Sequence, residues 1–264
     1  LSENQTIPTI GTYVQGLHYD YDVEAASASG FAQARYALTP RLSFIAAARA
    51  DWTRYNYDNL TGDGVFGRFL RPEDRTDAFL TVSPKASLLY KTAGGSAWLT
   101  YARGARPPQT TALYRLQINQ TTDPADPETI DSVEFGWRGA VGARLEVEAA
   151  AYYMEKRNFF FRYADGFNVN DGRTRHIGAE TRATWRPVDA LTFDASAAFG
   201  RHTYRFDRPI LALPQASETI SFGDDVDTAP RWLADGRSLW TPAFAPVTNV
   251  AEWALWCQFV TAAA

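Results

Sequence analysis

Three histidines, His18, His176 and His202, are the first residues to test for chemistry, and none stands beside a serine or cysteine nucleophile or a second ligand at metal spacing. Polar structural roles are expected for all three. Cys257 is alone, which excludes an internal disulfide and a Cys/His metal cluster. Asp224, Asp225 and Asp227 offer hard oxygens of the kind Ca²⁺ takes, but the twelve-residue loop with its closing Glu is lacking, so a solvated loop is the better reading. No nucleophile–base pair emerges, and neither enzymatic activity nor a cofactor is expected.

Arginines and aromatic rings make a different pattern. Arg103 and Arg106 enter one long polar stretch that also holds Tyr114 and Arg115; Phe160, Arg162 and Tyr163 lie in the next; Arg68, Arg71 and Arg75 crowd a third. Guanidinium forks and rings suit an anionic chelate, through charge-assisted bonds and stacking. Plain solubility is the alternative reading of the same residues.

The elements that must position these stretches repeat along the chain. Short turn clusters recur at Thr39-Pro40-Arg41, Thr92 to Gly95, Ala140 to Ala143, Pro187 to Ala190 and Pro242 to Pro246, at a spacing of roughly 50 residues. Longer polar stretches alternate with them, at about Tyr57–Asp77, Ala105–Glu128, Asn158–Asn170 and Phe206–Thr228. The segments between alternate with period two. Ala32, Ala34, Tyr36 and Leu38 continue past the turn as Leu42, Phe44, Ala46, Ala48, Ala50 and Trp52. Val133, Phe135 and Trp137 continue as Leu145, Val147, Ala149, Ala151 and Tyr153; Ala179, Ala183 and Trp185 continue as Leu191, Phe193, Ala195, Ala197 and Phe199. Facing residues of an antiparallel hairpin share a face, so this agreement of parity predicts hairpins in register. Ser96–Arg103 resists orientation, because apolar residues fall on both parities.

The opposite parity carries charge: Arg35, Arg49, Asp51, Glu134, Arg138, Glu146, Glu148, Glu180, Arg182 and Asp194. Facing hydrocarbon, an arginine at mid-bilayer would cost roughly 2 to 4 kcal/mol, so these residues are expected inside a barrel as a cross-strand charge ladder, with plug contact or ligand transit as the functional alternative. Predicted strands of about 9 to 14 residues match tilted membrane-spanning strands better than those of soluble folds. Tyr36, Trp52, Tyr90, Trp98, Trp137, Tyr153, Trp185 and Phe199 sit where interfacial girdles of rings belong.

Composition agrees. No run of about 18 apolar residues exists to make a spanning helix, and the mean hydropathy of -0.31 is that of a barrel whose lipid-facing residues alternate with polar ones. A net charge of -4 gives no basic footprint for nucleic acid. A soluble β-sandwich binding module, its inner face made of the same apolar stripe, is the competing fold.

Several strings carry a family likeness. Phe31-Ala-Gln-Ala-Arg-Tyr36 with Leu38-Thr-Pro-Arg-Leu-Ser43, Ser83-Pro-Lys-Ala-Ser87, Tyr101-Ala-Arg-Gly104 before Arg106-Pro-Pro108, Glu134-Phe-Gly-Trp-Arg138, Val169-Asn-Asp-Gly172 through Gly178-Ala-Glu180, and Ala229-Pro-Arg-Trp232 resemble barrel strands of TonB-dependent outer-membrane receptors. The resemblance runs over about residues 11 to 242 in the family's order. It implies uptake of a scarce ligand, typically a ferric siderophore or a related chelate, at the extracellular face of a bacterial outer membrane. It also implies contact with outer-membrane lipid and lipopolysaccharide, which beside solubility is the alternative reading of the arginines and rings above, and energy from a TonB complex acting through a plug domain.

Family barrels have 22 strands; about ten are countable here and no plug is expected, so residues 1–264 read as the C-terminal part of an all-β antiparallel transmembrane barrel, with 245–264 an atypical tail. The chain starts at Leu1 without a leader, which fits a longer protein whose N-terminal part is missing. A passive porin-like barrel is the functional alternative.

Overall fold

The computed structural model describes residues 1–11, 13–118, 120, 125–162, 168–209, 219–226, 229–241 and 253–261. In chain order the first elements are β1 (Ser2–Gln5), β2 (Gly16–Ala37), β3 (Leu42–Asn59), β4 (Gly64–Phe66), β5 (Phe69–Arg71), β6 (Arg75–Lys91), β7 (Gly95–Arg106), the short helix α1 (Thr110–Tyr114) and β8 (Leu116–Gln117). There follow β9 (Glu128–Val141), β10 (Leu145–Arg162), β11 (Asn168–Val188), β12 (Leu191–Tyr204), β13 (Arg208–Pro209), β14 (Thr219–Ile220), β15 (Trp232–Trp240) and β16 (Trp253–Thr261).

Eleven of these strands form one antiparallel sheet in the order β1-β2-β3-β6-β7-β9-β10-β11-β12-β15-β16, which is chain order interrupted only by loop elements. The ten long strands are those expected from the hairpin period, and β1 is an addition at one edge. One continuous meander of this width rules out the two-layered sandwich. Among the described residues β1 and β16 are the end strands and do not pair, so the sheet is an open part of a barrel.

Register fixes the faces. Ala32 opposes Ala48 and Tyr36 opposes Phe44; Phe135 opposes Ala151, which opposes Ala179, which opposes Phe199, which opposes Trp232. Large apolar residues of this parity stand in the open, Phe135 at 59% and Leu80 at 67% exposure, which in a membrane strand marks the lipid side. The opposite face carries the charges, and the loops fold back onto it. There Tyr19, Tyr21, Tyr57, Phe69, Phe79, Leu113, Tyr114 and Ala125 form the buried core.

Three expectations need revision. β7, β9, β12, β15 and β16 fall within 9 to 14 residues, but the other long strands exceed it: β2 has 22, β3 and β10 have 18, β6 has 17 and β11 has 21. Alternation persists past the apolar band, so pairing continues beyond the membrane. The loop expected over Asn158–Asn170 is for the same reason mostly strand: β10 runs to Arg162 and β11 starts at Asn168. Slips at Arg157/Phe159 and Phe159/Phe161 accommodate the change, and Asn158 takes φ 54°, the left-handed conformation bulges use.

The unoriented segment Ser96–Arg103 is settled by its neighbours. Leu99 opposes Leu88 and Phe135, so Leu99 and Tyr101 face lipid. Trp98 points inward, where its Nε1–H donates to Glu134 at 2.6 Å. It is therefore not a girdle ring. Both parities look apolar because the inward position opposite Trp98 is Gly136, and a Cβ there would lie 2.2 Å from the indole.

Candidate functional site

Long loops and short turns lie at opposite ends of the sheet, and the loop end gathers most of the arginine and aromatic candidates. The β3–β6 loop folds as the β4–β5 hairpin, and β5 pairs with β8 from the β7–β9 loop, Phe69 opposite Gln117 and Leu70 opposite Leu116. The two loops thus share a three-stranded sheet. Arg68 donates to the Gln117 side chain, its Nη2 at 2.5 Å. Arg71 donates to the carbonyls of Leu17 and His18, the latter at 3.0 Å. Arg75 pairs with Asp77 at 2.6 Å.

Beneath this layer, α1 presses onto the inner face of β2, β3 and β6. Tyr114 has no exposed surface; its ring stacks on Tyr57 at 4.3 Å and its hydroxyl donates to Asp77 at 2.8 Å. Burial, then the Asp77 carboxylate, raises the Tyr114 hydroxyl pKa well above the usual tyrosine range. Arg115 pairs with Glu3 and lies 5.8 Å from the Tyr19 ring. Tyr114 and Arg115 therefore hold the loop down, and sequence reasoning could not see it, since a five-residue helix shows no periodicity.

Arg103 and Arg106 part company, as residues three apart in a strand must. Arg103 faces outward, its Nε and Nη2 held by Asp131 at 2.8 and 2.9 Å. Arg106 faces inward and pairs with Glu128 at 2.9 Å, which also pairs with Lys156 at 2.9 Å. A cavity of about 80 Å³ opens here, lined by Arg106, Pro107, Pro108, Gln109, Ala125, Asp126, Glu128, Asn158 and Phe160. Arg106 and Phe160 are thus the two candidates brought together. Tyr163 and the side chain of Arg162 lie outside the described residues.

The charge-ladder residues of β9 to β12 fall into rows across the inner face. Arg138 opposes Glu148, which opposes Arg182, which opposes Ser196; Ser196 in turn donates to Asp235. One row nearer the turns, Glu146 opposes Thr184, and Thr184 donates to Asp194 at 2.6 Å, with Arg237 opposite Asp194. Glu180 lies opposite Ala150, and Glu134 opposite Tyr152. On the earlier strands Arg49 binds Asp51 within one strand at 2.6 Å and Arg35 reaches Ser43 at 3.4 Å. Asp235 and Arg237 share this face and were missed, because that strand had no parity to read.

The histidines keep to polar contacts. His18 is buried, stacked on Phe69 at 3.9 Å, with Nε2 2.7 Å from the Val14 carbonyl. His176 and His202 oppose one another on the inner face, Nδ1 to Nδ1 at 2.6 Å. Among the described residues no group of three His, Cys, Asp or Glu side chains could hold a metal. Asp225 lies between Arg201 and Arg231, which hold its carboxyl below the usual range, Arg231 contributing first. Asp224 accepts the Ser221 N–H at 2.9 Å. Asp227, the third acid of the Ca²⁺ expectation, lies outside the described residues.

The family model described as TonB dependent receptor-like, beta-barrel matches residues 2–256. No curated protein matches the chain. Among solved structures, the ferric yersiniabactin uptake receptor FyuA of Yersinia pestis superposes with a TM-score of 0.64 at 17% identity, over 91% of this chain and 35% of that one. The siderophore receptor PiuA of Acinetobacter baumannii gives 0.63 at 19% identity, over 84% and 32%. The ferric-catecholate import receptor Fiu of E. coli gives 0.62 at 18%, over 92% and 37%. The chain spans about a third of the length of these structures.

Proposed function

Because the chain belongs to the TonB-dependent receptor β-barrel family, whose members are outer-membrane transporters and not enzymes, we propose that it serves as a barrel segment of a receptor that takes up a ferric siderophore or similar chelate. Energy would come from a TonB complex acting through a plug domain. The observation that supports this reading is the loop end: two loops are knitted across the inner face by β5 and β8, while Arg106 and Phe160 line the cavity beside them.

A guanidinium and a ring at one opening suit an anionic, aromatic-rich chelate. The charge ladder below would pair across strands and hold water or a plug. Ferric catecholate, hydroxamate and carboxylate chelates titrated onto the folded protein, followed by tryptophan fluorescence, test the reading. Saturable binding weakened by Arg106→Ala and by Phe160→Ala is expected. Absence of binding by all three, with ion conductance by the purified chain in a planar bilayer, would point instead to a passive pore.

A further inference from the structure

Register on the inner face of β10, β11 and β12 brings together three side chains distant in sequence. Met154 opposes His176, and His176 opposes His202. They share the parity of Glu148, Glu180 and Ser196 on their own strands, so all three point inward. Each is half-buried. Met154 is the chain's one methionine, and the histidines are two of its three. Opposed side chains on neighbouring strands start about 4.5 to 5.5 Å apart at Cβ, within reach of one bound atom.

The two rings are already turned toward one another. Nδ1 of His176 lies 2.6 Å from Nδ1 of His202, a separation bridged by one proton, with one nitrogen donating and the other accepting. On the far side of its ring, His176 Nε2 lies 2.9 Å from the Thr174 hydroxyl, and Thr174 is buried. A hydroxyl donates or accepts, so Thr174 serves either tautomer of His176. When it accepts from Nε2–H, the Nδ1 lone pair is left for a ligand. An outer hydrogen bond of this kind fixes the ring of a metal-bound histidine.

The rows on either side complete the setting. Toward the turns, Gly178 and Gly200 hold the next inward positions on β11 and β12. The Tyr152 hydroxyl fills the space a side chain at Gly178 would take, and a Cβ at Gly200 would lie 2.9 Å from His202 Nε2, so the glycines admit the rings. Toward the loops stand Lys156, Thr174 and Tyr204, and Lys156 pairs with Glu128 at 2.9 Å. Past Met154 the row continues as Ser132 and Ala102, so these five positions hold no carboxylate.

From this row we infer that Met154, His176 and His202 form a binding site for a soft monovalent metal ion, Cu(I), on the inner face of the barrel wall. Imidazole suits copper and zinc alike, whereas a thioether selects Cu(I). The three ligands are neutral and a lysine stands one row away, which leaves the charge of a divalent ion uncompensated. The ion takes the place of the proton between the two Nδ1 atoms. That proton moves to Nε2 of the same ring, so two neutral histidines remain. Metal–nitrogen bonds of about 2.0 Å in a trigonal site set the nitrogens about 3.5 Å apart, so the rings open by about 0.9 Å from their 2.6 Å contact. The site stands apart from the chelate opening beside Arg106 and does not depend on it.

The test titrates the full chain, folded in phosphatidylcholine vesicles, with Cu(I) kept reduced by ascorbate in the absence of oxygen and supplied as its bicinchoninate complex. No ferric chelate is present, so failure here and failure of the uptake reading are separate results. Withdrawal of one Cu(I) per chain is expected, and equimolar Zn(II) should not displace it. Met154→Leu, His176→Gln and His202→Gln are each expected to weaken Cu(I) by about a hundred-fold or more, since loss of an outer-shell partner alone costs about 10- to 100-fold. Cys257→Ser removes the chain's one thiol and is expected to change nothing.

X-ray absorption at the copper edge, measured on the Cys257→Ser chain, should show two nitrogens at about 2.0 Å and one sulfur at about 2.3 Å. Without the thiol, that sulfur is a thioether. Its absence, loss of Cu(I) in Cys257→Ser, displacement by equimolar Zn(II), or full Cu(I) affinity in a folded Met154→Leu or His176→Gln chain would each overturn the site. The spectrum needs no change within the row, so it decides even if a ligand variant fails to fold.

Discussion

The hydroxyl of Tyr114 donates to Asp77 at 2.8 Å, and this bond ties the loop that carries α1 to the inner face of β6. Tyr114→Phe keeps the ring stacked on Tyr57 and removes the donor to a buried carboxylate, which Arg75 still pairs. A loss of about 1.5 to 3 kcal/mol in loop docking is expected, as for hydrogen bonds to charged groups. Amide exchange over residues 110–117 measures it. Unchanged protection there would mean the stacked rings alone hold the loop.

Alkaline pH should release the same loop. The docked Tyr114 hydroxyl is raised above its ordinary value by burial and by Asp77, so the docked form keeps its proton where the undocked form has lost it. A raised pKa contributes stability that is complete below the undocked value of about 10 and declines as pH rises beyond it. Proteolysis of the loop between pH 8 and pH 11 is expected to accelerate at the upper end, less steeply in Tyr114→Phe. A rate that stays flat would contradict the assignment.

Gly136 leaves the space that Trp98 occupies. Gly136→Ala places a methyl where a Cβ meets the indole at 2.2 Å, so Trp98 must leave its position and its bond to Glu134 at 2.6 Å must break. Overpacking of this kind costs about 1 to 3 kcal/mol. A shifted Trp98 emission maximum, read against Trp98→Phe as reference, is the expected signal.

Adjacent alanines should respond oppositely to the same change. Ala151 shares the row of Phe135 and Ala179 on the lipid side, and Ala150 opposes Glu180 on the inner side. Ala151→Arg is expected to lower folding yield in vesicles by the equivalent of roughly 2 to 4 kcal/mol, and Ala150→Arg far less. Equal yields would reverse or abolish the assigned faces.

Period-two alternation made most of the sheet legible, because alanines and rings on one parity faced charges on the other in Val133–Trp137 and Leu145–Tyr153. It failed at Trp98, where the inward side chain is as apolar as its outward neighbours and the room for it is supplied by a glycine on another strand. The candidate site was only half legible. Arg103 and Arg106 looked alike as a pair, yet three residues of strand send them to opposite faces, one to Asp131 and the other to Glu128. Tyr114 is buried against Tyr21, Tyr57 and Asp77 of three strands distant in sequence, and no local pattern foretells that. Met154, His176 and His202 did carry the charged parity of their strands, but register puts them in one row, and no spacing in sequence states it.

Strand length has an electrostatic consequence. A crossing needs about 9 to 11 tilted residues, whereas β2 has 22 and β11 has 21. The surplus of about ten residues, at about 3.3 Å each and tilted near 45°, lifts the loop end about 20 to 25 Å above the hydrocarbon. Screening at physiological ionic strength confines the negative potential of a membrane surface to about 8 Å. The loop ends of β2 and β11 therefore stand outside the repulsive layer, whereas Arg106, at the end of the 12-residue β7, lies closer to the membrane, and an anion approaching it passes the field of the taller strands first.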